Sequence, residues 1–226
     1  SYGEISNCYS AGAVSATSYV GGVCGLHDYG VISNCYSAGA VSGSDNVGSV
    51  CGYNYQGTVL YCYFNSEKCN KDAVGTNESG TVTNVEGKTT AEFASGEVCY
   101  LLNEGKTDGT QIWYQNLTPE TGDQSPIWKA TGGNTVYQVT KYSGCEHDPG
   151  TSVELYSNLN KDIYEGYTSE GTCSHGYQKA FFNSTDNAYE ISNAGQLLWF
   201  AGLVNGTLSD GTTQNLSANA VLVNDI

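Results

Sequence analysis

Gly3-Glu-Ile-Ser-Asn-Cys-Tyr-Ser-Ala-Gly-Ala-Val-Ser15 returns further along the chain as Gly30-Val-Ile-Ser-Asn-Cys-Tyr-Ser-Ala-Gly-Ala-Val-Ser42. The second half of the unit repeats as well, because Val20-Gly-Gly-Val-Cys-Gly25 returns as Val47-Gly-Ser-Val-Cys-Gly52. Aligned without a gap, 17 of 27 positions are identical, and a third copy begins at Gly57 before it decays. A fixed period of this length is typical of stacked units, none of which buries its apolar face alone.

The composition of the repeat favours short strands over helices. Val, Ile, Tyr and Ser dominate between Gly3 and Gly57, Gly recurs at intervals, and Pro is missing from the stretch. These residue types favour strands and tight corners. The sequence therefore predicts a fold dominated by β-structure, a parallel β-solenoid of 27-residue rungs about 4.8 Å apart, with capping helices and a small Cys/His-containing module.

In-register stacking would place equivalent residues of successive copies in columns. We expect an apolar core column, an asparagine column whose side-chain amides hydrogen-bond along the stack, and two cysteine columns. The cysteines are expected either as buried free thiols or as partly bridged pairs, since parallel Cβ vectors suit a disulfide poorly. The members of these columns are Ile5, Ile32 and Val59; Asn7 and Asn34; Cys8, Cys35 and Cys62; and Cys24 and Cys51.

Other repeated positions are less specific. The tyrosine column, Tyr9, Tyr36 and Tyr63, is either a strip on which sugars stack or a half-buried face of the rungs. Two glycine pairs predict corners, Gly12 with Gly39 and Gly25 with Gly52. His27 has no obvious partner, so we expect it to be a solvated side chain at a corner.

The chain divides into four predicted regions. Residues 1–64 form the rungs, and 65–142 form a C-terminal cap with a helix over about 90–104, which Thr89 or Thr90 caps and Gly105 ends. Residues 143–188 form a linker or small Cys-x-His module. Residues 189–226 form a helix over 192–206, with Leu197, Phe200, Ala201 and Val204 on its apolar face, followed by a strand from Ala218 to Ile226.

The repeat resembles the Glug motif of secreted and surface-anchored bacterial proteins. The resemblance lies in G-x-I-S-N-C-Y-S-A-G-x-V-S followed by V-G-G-V-C-G, although family copies often read G-G-L-V-G where this chain has Gly22-Val-Cys-Gly25. It covers roughly the first third of the chain. The helix and strand of residues 189–226 are similar to the N-terminal cap and first rung of a further solenoid in such proteins. The resemblance implies an adhesin-like surface role and no reaction.

Charge narrows the range of partners. There are 23 acidic and 8 basic residues, which leaves a formal net charge of −15. Such a chain is unsuited to nucleic acid or anionic membrane, because it cannot neutralise phosphates. No apolar run approaches the length of a membrane span. Abundant Tyr, Ser, Thr, Asn and Gly favour an extracellular, cell-surface protein.

Two Cys-x-His pairs are the candidate metal ligands. Cys145 and His147 precede Cys173 and His175, and two thiols with two imidazoles are a donor set that zinc accepts. The alternatives are a Cys145–Cys173 disulfide or no link at all. No catalytic motif such as H-E-x-x-H or G-x-S-x-G occurs. We therefore predict a protein that is not an enzyme and needs no cofactor, zinc excepted.

The predicted function is that of a structural or adhesive segment of a bacterial surface protein or filament. The alternative is a carbohydrate-binding module that uses exposed tyrosine columns. Expected partners are flanking repeats, other copies of the chain, and surface glycans or proteins. Open strand edges at Ser1 and at Ala218–Ile226 predict either further rungs in a longer parent or head-to-tail strand addition.

Overall fold

The computed structural model describes residues 3–128, 133–143, 151–164, 179–208 and 211–224. The described residues are rich in strand and contain three short helices, which confirms the predicted strand-dominated class. The chain divides into two compact units. The first comprises Ser1–Gln138 with Leu155–Asn160, and the second comprises Val139–Glu154 with Lys161–Ile226.

Two successive repeats have the same five strands in the first unit. Each repeat is called a rung below. The strands of the first rung are β1 (Gly3–Ser6), β2 (Tyr9–Ser10), β3 (Val14–Ser15), β4 (Ser18–Gly21) and β5 (Cys24–Asp28). The second rung contains β6 (Gly30–Ser33), β7 (Tyr36–Ser37), β8 (Val41–Ser42), β9 (Asp45–Gly48) and β10 (Cys51–Tyr55).

Every strand of the first rung pairs in parallel with its equivalent in the second. Gly3 lies opposite Gly30 in β1–β6, Val14 opposite Val41 in β3–β8, and Cys24 opposite Cys51 in β5–β10. The pairing offset is therefore the sequence period. Because side chains alternate between the two faces of a strand, this offset brings identical residues together on the same face.

The third rung is shorter. Its strand β11 (Thr58–Asn65) pairs with β6 and β7 at the 27-residue offset, and Val59 lies opposite Ile32. After β11 the chain reaches β12 (Val74–Glu78), which pairs with β10, and β13 (Thr81–Lys88), which pairs with β11. The offset in these last pairings is 23 residues, since Thr58 lies opposite Thr81. Parallel stacking thus continues to Lys88.

Non-glycine residues with positive φ recur at equivalent positions of the rungs, some between strands and some inside a strand. Three turn columns result: Asn7, Asn34, Tyr61 and Asn84; Tyr19 and Asn46; and Tyr29, Gln56 and Ser79. Asparagine tolerates this left-handed conformation better than most residues. Gly12 and Gly39 do lie at bends, but the predicted corner at Gly25 and Gly52 is wrong, because both lie inside strands. A Cβ at Gly52 would be 2.6 Å from the Gly25 carbonyl oxygen, so close backbone approach requires glycine there.

The predicted helix over about 90–104 is two helices, α1 (Thr90–Ala94) and α2 (Glu97–Leu102). Thr89 caps α1 as predicted, with a reciprocal hydrogen bond from its backbone N–H to the Glu92 carboxylate. Gly96, at φ 93°, breaks the helix in the middle. The helices and the antiparallel pair β14 (Trp113–Tyr114) and β15 (Ile127–Trp128) bring aromatic residues against the rungs.

The second unit contains short strands and one helix. Its elements are β16 (Tyr137–Tyr142), β17 (Ser152–Ser157), β18 (Ile163–Tyr164), β19 (Phe181–Asn183), β20 (Ala188–Ile191), α3 (Ala194–Asn205) and β21 (Ala220–Leu222). Strand β16 begins in the first unit, and β17 ends in it. Asn193 caps α3 and Gly206 ends it. The predicted apolar face is only partly correct. Phe200 packs against the buried Trp199 and Leu203, whereas Leu197 is 45% exposed. The strand β21 pairs in parallel with β20.

Candidate functional site

The apolar core column lies where the repeat places it. Ile5 pairs with Ile32, and Ile32 pairs with Val59. Ile32 and Val59 are fully buried, whereas Ile5 is only half-buried because no described strand covers it on its outer side. The column is the centre of a cluster that also holds the buried cysteines Cys35, Cys51 and Cys62.

The two cysteine columns contain free thiols. Within the described residues, Cys8, Cys35 and Cys62 of one column and Cys24 and Cys51 of the other form no disulfide. The thiols of the first column each donate to the carbonyl two residues earlier, as Cys35 does to Ser33 at 3.0 Å. Those of the second column donate to the carbonyl two residues later, as Cys51 does to Tyr53 at 3.3 Å. The buried thiols of Cys35, Cys51 and Cys62 therefore serve as small apolar groups with a local hydrogen bond, whereas Cys8 is exposed and Cys24 is partly exposed.

Neighbouring thiols shift one another's pKa values. The Cys51 thiol holds the pKa of Cys24 at about 7, and the Cys62 thiol lowers the pKa of Cys35. The hydrogen bond to Cys24, together with burial, raises the pKa of Cys51. The hydrogen bond to Cys35, together with burial, raises the pKa of Cys62. Cys8 is exposed, but burial and the neighbouring Cys35 raise its pKa. Cys24 combines partial exposure with a lowered pKa, so it should react most readily with a thiol reagent.

An asparagine ladder is present, but it lies in a different column from the one that the sequence predicted. The side-chain amide of Asn34 donates to the Leu102 carbonyl at 2.8 Å, and no hydrogen bond joins it to Asn7 in the described structure. A ladder does form at Asn54, whose Nδ2 donates to Asn77 Oδ1 at 2.8 Å and to the Gly57 carbonyl. The expectation for Asn7 and Asn34 was therefore wrong, because the cap offers Asn34 a carbonyl acceptor that the repeat alone does not reveal.

His27 occupies the first position of this second asparagine column. It pairs with Asn54 in the parallel sheet and is 5% exposed, so the expectation of a solvated side chain is wrong. Its Nε2 atom and the Asn54 Oδ1 atom are both buried without a hydrogen-bond partner in the described structure. A buried polar atom left unpaired costs free energy, which makes this pair a weak point of the column.

The tyrosine column is covered for most of its length. Tyr36 is 1% exposed and Tyr63 3% exposed, whereas Tyr9 is 47% exposed. Tyr36 lies under Phe93 and Trp113 of the cap and donates a hydrogen bond to the Pro126 carbonyl. Burial raises the pKa values of Tyr36 and Tyr63 to about 12. An exposed strip of three tyrosines for sugar stacking is therefore wrong, because the cap occupies that face.

A groove runs beside the first turn column instead. Asn7 and Asn34 line a cavity of about 170 Å³ together with residues of the cap that include Leu102, Asn103 and Gln111. Tyr61 and Asn84, the next members of the turn column, line a cavity of about 520 Å³. Glu104 lines both cavities, so they adjoin along the stack, and we call them together the polar groove.

Ion pairs balance most of the charge in the polar groove. Lys88 contacts Glu97 at 2.8 Å and Glu86 at 3.2 Å, and Lys106 contacts Glu104 at 3.1 Å. Burial by itself would lower the pKa of Lys88, but its hydrogen bonds to the two glutamates raise the pKa above its usual value. Lys88 therefore stays charged and paired, and with three glutamates against two lysines the groove has a small net negative charge.

Gln111 and Glu104 were missed in the sequence. Gln111 is 5% exposed, and neither of its amide atoms has a hydrogen-bond partner in the described structure. Both residues lie in a short segment between α2 and β14 with no repeat or motif. The repeating Asn7 and Asn34 gave the only signal, since asparagine at the same position of two copies suggested a shared role.

The four candidate zinc or disulfide residues, Cys145, His147, Cys173 and His175, lie outside the described residues. Their pairing stays a prediction. Among the residues that are described, no group of three or more His, Cys, Asp or Glu is placed to hold a metal ion. In the same residues no helix is long and apolar enough to cross a membrane.

One family model matches the chain. The GLUG motif matches residues 16–42, a stretch as long as one repeat that runs from the middle of the first copy to the middle of the second. This match confirms the predicted Glug resemblance. No curated protein and no solved structure matches the chain.

Proposed function

We propose that this GLUG-motif chain is a parallel β-solenoid segment of an extracellular structural or adhesive protein at a bacterial cell surface, and that it performs no catalysis. The observation that supports this most directly is the 27-residue offset shared by all the strand pairs that join the first three rungs. A stack that repeats its register gives a stiff element whose length grows by one rung per repeat.

The residues that recur from rung to rung support a structural role. They are apolar side chains in a shared core, thiols bonded to local carbonyls, and glycines where backbones approach closely. The net charge of −15 fits a surface exposed to solvent and suits neither nucleic acid nor anionic lipid as a partner. Glug-type proteins that are secreted or surface-anchored supply the analogy for location.

Immunolabelling tests the location. An antibody raised against residues 1–138 should label intact cells of the source organism, and brief protease treatment of intact cells should remove that label. A cytosolic marker followed in the same cells is the control. Labelling that needs permeabilised cells would contradict the proposal.

Assembly through open sheet edges is the second part of the proposal. Among the described residues, β1 and β2 are edge strands of the main parallel sheet, and β21 is the edge of its own sheet with Val221 and Leu222 exposed. An edge strand offers unpaired N–H and C=O groups to another strand. The partner would be a further rung of the same kind, in the same chain or in a second copy.

Mass in solution tests self-assembly. If copies add head to tail, the average mass should rise with concentration, and deletion of residues 218–226 should abolish the rise. A chain that is monomeric at high concentration would show that these edges do not join copies. Such a result would leave the structural role untouched, because that role depends on the stacked rungs and not on contacts between copies.

A further inference from the structure

We propose that the stacked thiols of Cys24 and Cys51 bind one copper(I) ion, which bridges the first and second rungs. This binding role is separate from the structural role and does not rest on it. The two cysteines are direct partners in the parallel pair β5–β10. Among the described strands β5 is the edge of its sheet and β10 lies next to it, so the two thiols are at one edge of that sheet.

The two cysteine side chains have the same orientation. Cys24 Sγ donates a hydrogen bond to the Leu26 carbonyl at 3.3 Å, and Cys51 Sγ donates to the Tyr53 carbonyl at 3.3 Å. Because the strands are parallel and in register, equal side-chain geometry places the two sulfur atoms at the strand spacing, roughly 4–5 Å apart. The two sulfur atoms therefore lie one above the other on the same face of the sheet.

This spacing suits a metal ion between the thiols better than a direct bond. A disulfide needs Cβ atoms about 3.5–4.5 Å apart, whereas parallel strands in register keep them at about the strand spacing of 4.8 Å. A metal–thiolate bond is about 2.3 Å long, so two such bonds in line span about 4.6 Å. An ion with linear coordination can thus join the two sulfur atoms without moving the strands.

The number and kind of donors point to copper(I). Thiolates are soft ligands that select copper(I), zinc or iron–sulfur clusters among biological metals. Zinc and the clusters need about four protein donors, and among the described residues no group of three or more His, Cys, Asp or Glu is placed to hold a metal ion. Copper(I) has a filled d shell and accepts two thiolates in line, which is the donor set that this pair offers.

Binding replaces the two thiol protons with the ion. Two S–H bonds break, two Cu–S bonds form, and both protons pass to solvent, so copper keeps its oxidation state. The product has one negative charge. Cys24 is partly exposed, which leaves this charge in contact with water, while Cys51 lies in the apolar cluster.

The other cysteine column is less suitable. Cys35 Sγ already accepts the Cys8 backbone N–H at 3.3 Å. Cys35 and Cys62 are both fully buried, so a charged complex between them would lie wholly inside the core. Cys8 is an exposed thiol on the same rung as Cys24 and also donates to a carbonyl two residues away, which makes it a matched control.

Competition for copper(I) tests the proposal. The reduced whole chain, Cys24→Ser and Cys8→Ser are each titrated without oxygen against a coloured copper(I) chelator. Cys24→Ser should hold one ion fewer than the parent, because the loss of one of two ligands should weaken binding at least about a hundredfold. Cys8→Ser should hold as many ions as the parent. Cys145 and Cys173 are present in all three proteins, so any copper that they bind cancels.

The parent chain gives a test that needs no variant. Copper(I) buffered by the same chelator should protect Cys24 from iodoacetamide and leave the alkylation of Cys8 unchanged, as peptide mass mapping would show. Copper(I) should also raise the melting temperature of the parent more than that of Cys24→Ser, since the ion joins two rungs of the folded chain only. Melting without copper(I) shows whether each variant is folded.

Three results would overturn the assignment of copper(I) to this pair. They are equal copper(I) uptake by the parent and Cys24→Ser, a loss in Cys8→Ser as large as that in Cys24→Ser, and alkylation of Cys24 that copper(I) does not slow. The proposed surface role would stand after any of them, because it depends on the stacked rungs and on cell-surface location.

Discussion

The first and second rungs are nearly the same sequence in different surroundings. Tyr9 is 47% exposed and Tyr36 is 1% exposed, although they are equivalent residues that stack with ring centroids 5.2 Å apart. Ile5 is half-buried and Ile32 fully buried. In the second rung β6, β7 and β10 have a paired strand on each side and the cap packs against Tyr36, whereas the strands of the first rung have a described partner on one side only. Matched substitutions in the two rungs therefore separate the effect of sequence from the effect of packing.

The largest difference is expected for a charge in the core column. Ile32→Asp would bury a carboxylate with no partner and should destabilise the first unit by about 4 kcal/mol or more, enough to unfold it. Ile5→Asp, on the half-buried rung, should cost about 1–2 kcal/mol because water can reach the carboxylate. Urea denaturation followed by circular dichroism measures both. A soluble Ile32→Asp variant that still melts cooperatively would contradict the placement of this column.

Truncation of the stacked tyrosines should give the next largest difference. Tyr36→Ala removes a ring that contacts Phe93 and Trp113 and should cost about 3–5 kcal/mol. Tyr9→Ala should cost about 1–2 kcal/mol, since nearly half of its surface is already in water. Thermal melting of the two variants gives the comparison. Equal losses would mean that the cap does not cover Tyr36 in solution.

Glycine positions test the spacing between the rungs. A Cβ at Gly39 would lie 1.9 Å from the Gly12 carbonyl oxygen, whereas a Cβ at Gly12 meets nothing within 4 Å. Gly39→Ala should therefore destabilise the unit by about 1–3 kcal/mol by forcing the rungs apart. Gly12→Ala should stay within about 0.5 kcal/mol of the parent. The midpoint of urea unfolding measures the stability of both variants. A Gly39→Ala variant as stable as the parent would argue against this close stacking.

The smallest predicted effect is a gain in stability. His27→Asn would give the second asparagine column a third member, with an amide able to donate to the unpaired Asn54 Oδ1 atom. One added hydrogen bond should stabilise the unit by about 1 kcal/mol. Asn77→Ala removes a member from the same column and should lower stability by a similar amount. The two melting temperatures should therefore shift in opposite directions, and a loss in both variants would contradict the ladder.

The repeat was the informative part of the sequence. Predictions made from it were correct where they depended only on the 27-residue spacing of the copies. Strand content and the placement of residues such as Ile5 beside Ile32 follow from two near-identical copies. Predictions that depended on contacts with residues outside the repeat failed. The Asn34 amide bonds to Leu102, which is 68 residues away, and no local pattern indicates that contact.

The helices show the same limit. The end of α3 at Gly206 was visible in the sequence, but its buried face was only partly so, because α3 is apolar nearly all round and several faces looked equally suitable. The break at Gly96 was also missed. A Cβ there would be 2.8 Å from Leu117, a neighbour that only the packed cap supplies.

The sequence by itself determined the period, the strand-rich character and the in-register columns, because each copy offers its neighbour the same pattern of side chains at the same spacing. The tertiary structure alone decided which member of each column is buried and where a groove remains open. Trp113 covers Tyr36 and donates to the Asn34 carbonyl across 79 residues of chain. Burial depends on such distant partners. Equivalent residues of two rungs have the same sequence around them but different partners in the fold, so the sequence alone cannot tell which of them is buried.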